Sequence, residues 1–135
     1  MLMAHIDTDT REMELLVAGH PSPILVPSDP QRPPAPMPIS SRNPPVGALR
    51  GERAKDYVSE RHRLEAGSRL LLYSDGITER RDDAGQMLGE EELVILVETA
   101  RELEPLPFVH DLLRQVAERS SAPLGDDATM IVVDL

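Results

Sequence analysis

Apolar residues open the chain in two short runs, 2–6 and 13–17, on either side of Asp7-Thr8-Asp9-Thr10-Arg11; in the second, Met13, Leu15 and Val17 alternate with Glu14 and Leu16. A period of two sends successive side chains to opposite faces, so these runs predict a β-hairpin closed by the polar turn. A third run, Ile24-Leu25-Val26, follows Ala18-Gly19-His20-Pro21 and predicts that the hairpin continues as a meander. Leu70-Leu71-Leu72-Tyr73 is unbroken and follows the turn signal Glu65-Ala66-Gly67-Ser68, the pattern of a central strand covered on both faces. The period then changes. Gly89-Glu90-Glu91-Glu92 begins a helix with acid in its first turn, and Leu93, Leu96, Val97 and Ala100 recur at helical spacing. Phe108, Val109, Leu112, Leu113 and Val116 mark a second helix, and the β-branched stretch 128–135 a closing strand. Strands, two helices and a final strand predict an α+β fold built on antiparallel sheet.

Proline alters one part of this picture. Ten of the 13 prolines fall between positions 21 and 45, where missing N–H groups and fixed φ oppose both helix and ladder. The segment 27–45 is therefore expected to be a surface loop without regular structure and the most mobile internal stretch. A linker between two modules is the competing reading, opposed by flanks too short to fold alone.

With 135 residues, 40% of them hydrophobic, the chain suits one small domain with one core. Aromatic residues make up 2%, and the formal net charge is −10. Few stacking platforms and a field that repels phosphate backbones argue against a nucleic-acid partner. A protein this acidic handles phosphate through bound cations. Cysteine is absent, which removes disulfides, thiolate metal sites and a cysteine nucleophile. No apolar run reaches the roughly 18–20 residues of a membrane span, and no basic start with an apolar stretch marks a signal peptide. The expectation is a cytoplasmic protein with no membrane contact from this segment.

Two acidic motifs sit at predicted strand ends. Ser74-Asp75-Gly76-Ile77-Thr78-Glu79 follows the central strand, and a rigid strand end holds a carboxylate well; an ordinary Asp-Gly turn is the plainer alternative. Gly125-Asp126-Asp127-Ala128-Thr129-Met130 precedes the last strand, where neighbouring side chains diverge, giving Asp126 and Asp127 different roles unless the loop is merely solvated. Together they offer hard oxygen donors of the kind Mg²⁺ or Mn²⁺ prefers. Zinc is disfavoured, because the four histidines (5, 20, 62 and 110) lack metal-binding spacing. His20, after Gly19, stands where a tight strand exit would point it to a cleft, and is not assigned catalysis.

Ala18-Gly19-His20-Pro21, Pro45-Val46-Gly47, the stretch 64–79, Gly85-Gln86-Met87-Leu88-Gly89 and Asp126-Asp127-Ala128-Thr129 occur in the order of landmarks in SpoIIE-like phosphatases of the PPM (type-2C) superfamily. The resemblance covers nearly the whole chain and implies a bacterial, metal-dependent serine/threonine protein phosphatase acting in signal transduction. It implies a partial β-sandwich with flanking helices, of which residues 1–135 are the C-terminal portion. It also implies a centre of two Mn²⁺ or Mg²⁺ ions, with Asp75, Gly76 and Asp126 at the metals. Asp127, where relatives often have Asn, falls outside the ligands, and His20, Ser74 and Glu79 are left without a settled role. The implied substrate is a phosphorylated regulatory protein, such as an anti-sigma-factor antagonist.

One departure is large. The family's earlier D-x-x-G-H-G motif, whose Asp bridges both metals, is absent from these residues: Asp-Gly occurs only at Asp75-Gly76. Ser68 in place of a common Asp and an enlarged proline loop are minor. Asp75 and Asp126, at matching strand ends, are expected to converge to about 4–7 Å, on the order of what shared ions require; the missing motif adds the expectation that the isolated chain is inactive, and an uncovered sheet edge or apolar face the expectation of self-association. A phosphatase-like binding or regulatory module remains the non-enzymatic alternative. A haloacid-dehalogenase-like reading, with Asp7-Thr8-Asp9 as its D-x-D, fails on order because the only lysine, Lys55, precedes Ser74. A calcium loop from Asp7 fails because Glu12 replaces the glycine and Ala18 the bidentate Glu.

Overall fold

The computed structural model describes residues 1–41, 43–48, 57–123 and 127–135. Two antiparallel sheets face one another. The first has the order β1-β2-β5, from β1 (Leu2–Asp7), β2 (Glu12–Val17) and β5 (Glu60–Arg63). The second has the order β4-β3-β6-β7, from β3 (Ile24–Val26), β4 (Ala35–Pro36), β6 (Arg69–Tyr73) and β7 (Met130–Asp134). Three helices, α1 (Asp75–Thr78), α2 (Gly89–Ala100) and α3 (Pro105–Glu118), complete the α+β fold. Among the described residues, no helix is long and apolar enough to cross a membrane.

β6 divides the core. Leu70 and Leu72 face Met13, Leu15 and Val17 of the first sheet, while Leu71 and Tyr73 pack with Ile77, Leu93, Val97, Phe108, Leu112 and Val116 on the helical side. Covered on both faces, its centre carries no polar residue. β2, covered on one face, keeps its alternation, with Met13 and Leu15 buried and Glu12 and Glu14 exposed.

The predicted hairpin is present, with Leu2 opposite Val17 and Asp7 opposite Glu12. Asp7 closes its turn, its Oδ1 accepting from the N–H groups of Asp9 (3.0 Å) and Thr10 (2.9 Å). Asp7, first residue of the D-x-D in the discarded dehalogenase-like reading, is thus a turn cap. The meander is corrected: β3 leaves the first sheet and pairs with β4 and β6. The chain turns away at Gly19, whose φ of 55° is left-handed and whose missing side chain makes room for Pro45.

The proline-rich loop is corrected as well. It contains β4, in which Ala35 pairs with Leu25 and Pro36 with Ile24, and Met37 donates to the Pro23 carbonyl at 2.8 Å. A sheet edge tolerates proline because its outward side needs no donor. Met37 is buried between the sheets, and Ile39 packs beside it. β5 carries no apolar residue and escaped the periodicity reading. It pairs antiparallel with β2, placing Arg63 opposite Glu12 and Arg61 opposite Glu14.

Candidate metal centre

β6 ends at Tyr73 and the chain turns directly into α1, four residues long, with Ser74 as its N-cap. The Ser74 hydroxyl makes no cap bond. It donates instead to the Asp127 carbonyl (2.9 Å) and accepts from the Thr129 N–H (3.0 Å), while the Ser74 N–H donates to the Thr129 carbonyl (3.0 Å). One residue of the first acidic motif is thereby fastened at three points to the second. Gly76 makes the approach closer still: a β-carbon there would overlap the Asp127 carbonyl oxygen. The sequence shows the glycine, but only the fold shows what it makes room for.

Asp75, at the first position of α1, is exposed; its Oδ1 accepts from the Gly76 N–H (3.1 Å), and its carbonyl accepts from Glu79 N–H (2.8 Å). Asp127 is also exposed. Asp126 lies outside the described residues, and with it the expected Asp75–Asp126 convergence. Glu79, the C-cap of α1, is exposed. His20 is half-buried with Nδ1 3.0 Å from the Pro21 carbonyl, and it shares with Ser74 an open depression of about 290 Å³ bordered by Leu2, Tyr73, Thr129 and Ile131. Tyr73 points the other way, to Glu90 Oε2 at 3.2 Å; burial, then the Glu90 charge, pushes its phenol well above the ordinary value, so it serves as a neutral donor.

Two residues without a predicted role hold the surroundings. Arg80, buried, donates to the carbonyls of Ala117 (3.3 Å), Ser120 (3.0 Å), Ala122 (2.5 Å) and Pro123 (2.7 Å). Asp83 accepts from the Ser120 hydroxyl (2.6 Å) and the Ser121 N–H (3.1 Å), and these bonds, led by Ser120, hold its carboxyl below the usual range. The only sequence signal was a pair of arginines inside an acidic stretch.

The exposed carboxylates of Asp75 and Asp127 offer oxygen donors, the kind that suits a hard divalent cation. Asp75 is held on a strand end, and Gly76 leaves the gap through which the second motif's backbone reaches it. Among the described residues, no group of three or more His, Asp or Glu side chains gathers at one point.

Residues 1–135 match the family described as Stage II sporulation protein E (SpoIIE). The chain belongs to the SpoIIE family. Its fold is that of the PP2C phosphatase domains. The SiaA-PP2C domain of Pseudomonas aeruginosa superposes with a TM-score of 0.79 at 16% identity, over 99% of this chain and 50% of that one. The RsbU and RsbW domains of Rv1364c from Mycobacterium tuberculosis give 0.76 at 22% identity, over 97% and 34%. The manganese-presoaked phosphatase domain of SpoIIE from Bacillus subtilis gives 0.75 at 19%, over 100% and 56%. This SpoIIE-family chain thus spans about a third to just over half of the length of these solved structures. No curated protein matches the sequence.

Proposed function

We infer that the chain contributes one side of the metal centre of a phosphatase that hydrolyses phosphoserine or phosphothreonine on a regulatory protein, and that it is the C-terminal portion of that catalytic domain. The observation that carries this reading is the three-point attachment of Ser74 to Asp127 and Thr129, which brings the two acidic motifs together at two strand ends. Family membership supplies the reaction class. Asp75 and Gly76, with Asp126 from the second motif, would hold Mn²⁺ or Mg²⁺; such ions supply a water of lowered pKa and neutralise the phosphoryl oxygens. Ser74 keeps the Asp75 turn rigid, and Gly76 keeps the gap open. Asp127, its carbonyl turned to Ser74, positions the loop. The substrate proposed is a phosphorylated anti-sigma-factor antagonist, and the acidic surface (net charge −10) makes its phosphate dependent on bound cations for entry.

Two divalent ions about 3.5–4 Å apart repel strongly unless a bridging carboxylate offsets them. The D-x-x-G-H-G motif that carries this carboxylate in the family is absent from residues 1–135. The purified chain is therefore expected to bind Mn²⁺ weakly, detected as loss of the free-ion electron paramagnetic resonance signal, and to leave p-nitrophenyl phosphate and a phosphoserine peptide intact. Asp75→Asn should weaken that binding by about tenfold or more, as loss of a charged ligand implies. Equal Mn²⁺ binding by both forms removes Asp75 from the metal site. Turnover that requires Mn²⁺ and disappears in Asp75→Asn would instead show that another carboxylate supplies the bridge. The lack of the D-x-x-G-H-G motif in residues 1–135 also suits a second reading, a phosphatase-like regulatory module. That reading predicts capture of a phosphorylated protein without Mn²⁺ and without hydrolysis.

A further inference from the structure

α3 ends at Glu118 with no basic residue of its own in the last turn. The last carbonyls of a helix lack intrahelical partners and carry the negative end of its dipole. Here they are met from a distant part of the chain. The Arg80 guanidinium, more than thirty positions earlier in sequence, gathers Ala117 in that last turn and Ser120, Ala122 and Pro123 just beyond it. Arg80 itself is tied to α1: its N–H lies 3.4 Å from the carbonyl of fully buried Ile77, and its own carbonyl accepts from Leu88 N–H at 2.8 Å. Asp83 takes hold of the same segment through Ser120 and Ser121. A cavity of about 470 Å³ lies alongside, bordered by Gly76, Arg80, Asp83 and Pro123.

We propose that Arg80 is a positioning residue for the second acidic motif: it holds the chain at Ser120, Ala122 and Pro123 before the motif, while Ser74 holds it at Asp127 and Thr129. Residues on either side of α1, Ser74 before it and Arg80 after it, thus hold the chain at 127–129 and at 117–123. Four carbonyl acceptors require the planar fork of an arginine. The ammonium of lysine, a single point on a flexible stem, does not span them. The link to metal binding rests on the function proposed above, whereas the clamp itself does not.

Arg101 provides an internal comparison. Its side chain, 9% exposed, also binds main-chain carbonyls, those of Pro27 (2.9 Å), Asp29 (3.3 Å) and Arg32 (3.3 Å), on a different part of the molecule. The full chain, Arg80→Lys and Arg101→Lys are compared by amide hydrogen exchange at Ser121, Ala122 and Thr129, whose N–H groups donate to Asp83, Ser120 and Ser74. In Arg80→Lys these amides are expected to exchange faster by roughly tenfold or more, as loss of a charge-assisted bond implies, with exchange in β2 unchanged. Arg101→Lys should leave them at the wild-type rate. Unchanged protection in Arg80→Lys overturns the proposal, and so does an equal loss in both variants, which would mean that the loop follows global stability. Should Arg80→Lys fail to fold, Asp83→Asn takes its place, with accelerated exchange at Ser121 and Thr129 expected and unchanged exchange overturning the coupling. Mn²⁺ line broadening in the same samples separates the two ideas. Faster exchange without any Mn²⁺ effect in the wild-type chain keeps the clamp and discards the metal reading.

Discussion

Gly76 sits inside α1, where alanine would ordinarily be the better helix former by about 1 kcal/mol. The fold reverses that preference, because a β-carbon at this point overlaps the carbonyl oxygen of Asp127. Gly76→Ala is therefore expected to lower stability by about 1–3 kcal/mol, the usual cost of overpacking, with the loss read from urea denaturation. A gain in stability would mean that the two acidic motifs do not touch. Charge at Asp134 is a second residue-level effect. The two bonds from Arg69, at 2.5 and 2.8 Å, hold the Asp134 carboxyl below its ordinary value of 3.8. A folded-state value below the unfolded one stabilises the protein above about pH 4, and this contribution fades as pH falls through the lowered value. Asp134→Asn should thus flatten the stability–pH curve in the acid range, measured by thermal melts between about pH 2 and 6. A curve as steep as wild type would assign the acid loss to other carboxylates.

At the scale of elements, the proline-rich segment carries a load that its composition conceals. Met37 is 5% exposed and lies in the core between the sheets, against Leu70 and Leu64. Replacing it by alanine should cost about 2 kcal/mol or more, the range for a buried methionine, as seen in a lowered denaturation midpoint. An effect below about 0.5 kcal/mol, typical of an exposed site, would return the segment to the status of a free loop. The helices depend on β6 in the same way. Phe108, the only phenylalanine, is fully buried in α3, and the Arg69 guanidinium stands 4.7 Å from its ring centre. Phe108→Ala is expected to cost about 3–5 kcal/mol and to loosen α2 and α3 together, because one cluster joins both to the sheet.

Across the whole molecule, charge is distributed by function. Arg69, Arg80, Arg101 and Arg119 turn inward and bind carbonyls or carboxylates on neighbouring elements. Spending cations on internal clips leaves the surface dominated by carboxylates, in a chain that already carries 24 acidic residues against 14 basic ones. Such a surface gathers divalent cations and repels phosphate, the electrostatic setting that the proposed chemistry requires.

Residue patterns were sufficient for the hairpin, the central strand, both long helices and the closing strand, because each exposes its period to solvent on one side or loses it by burial on both. They were also sufficient for the family, whose landmarks at Ala18-Gly19-His20-Pro21 and Ser74-Asp75-Gly76 are contiguous in the chain. Tertiary structure alone decided the rest. β5 carries no apolar alternation, and its place beside β2, with Arg63 opposite Glu12 and Arg61 opposite Glu14, is seen only in the fold. β4 forms because an edge position forgives proline. β3 changes sheets after Gly19, whose left-handed φ of 55° and close approach to Pro45 are seen only in the fold. The bonds from Ser74 to Asp127 and from Arg80 to Pro123 join residues 53 and 43 positions apart. Contacts of that span arise from packing, and local sequence carries no trace of them.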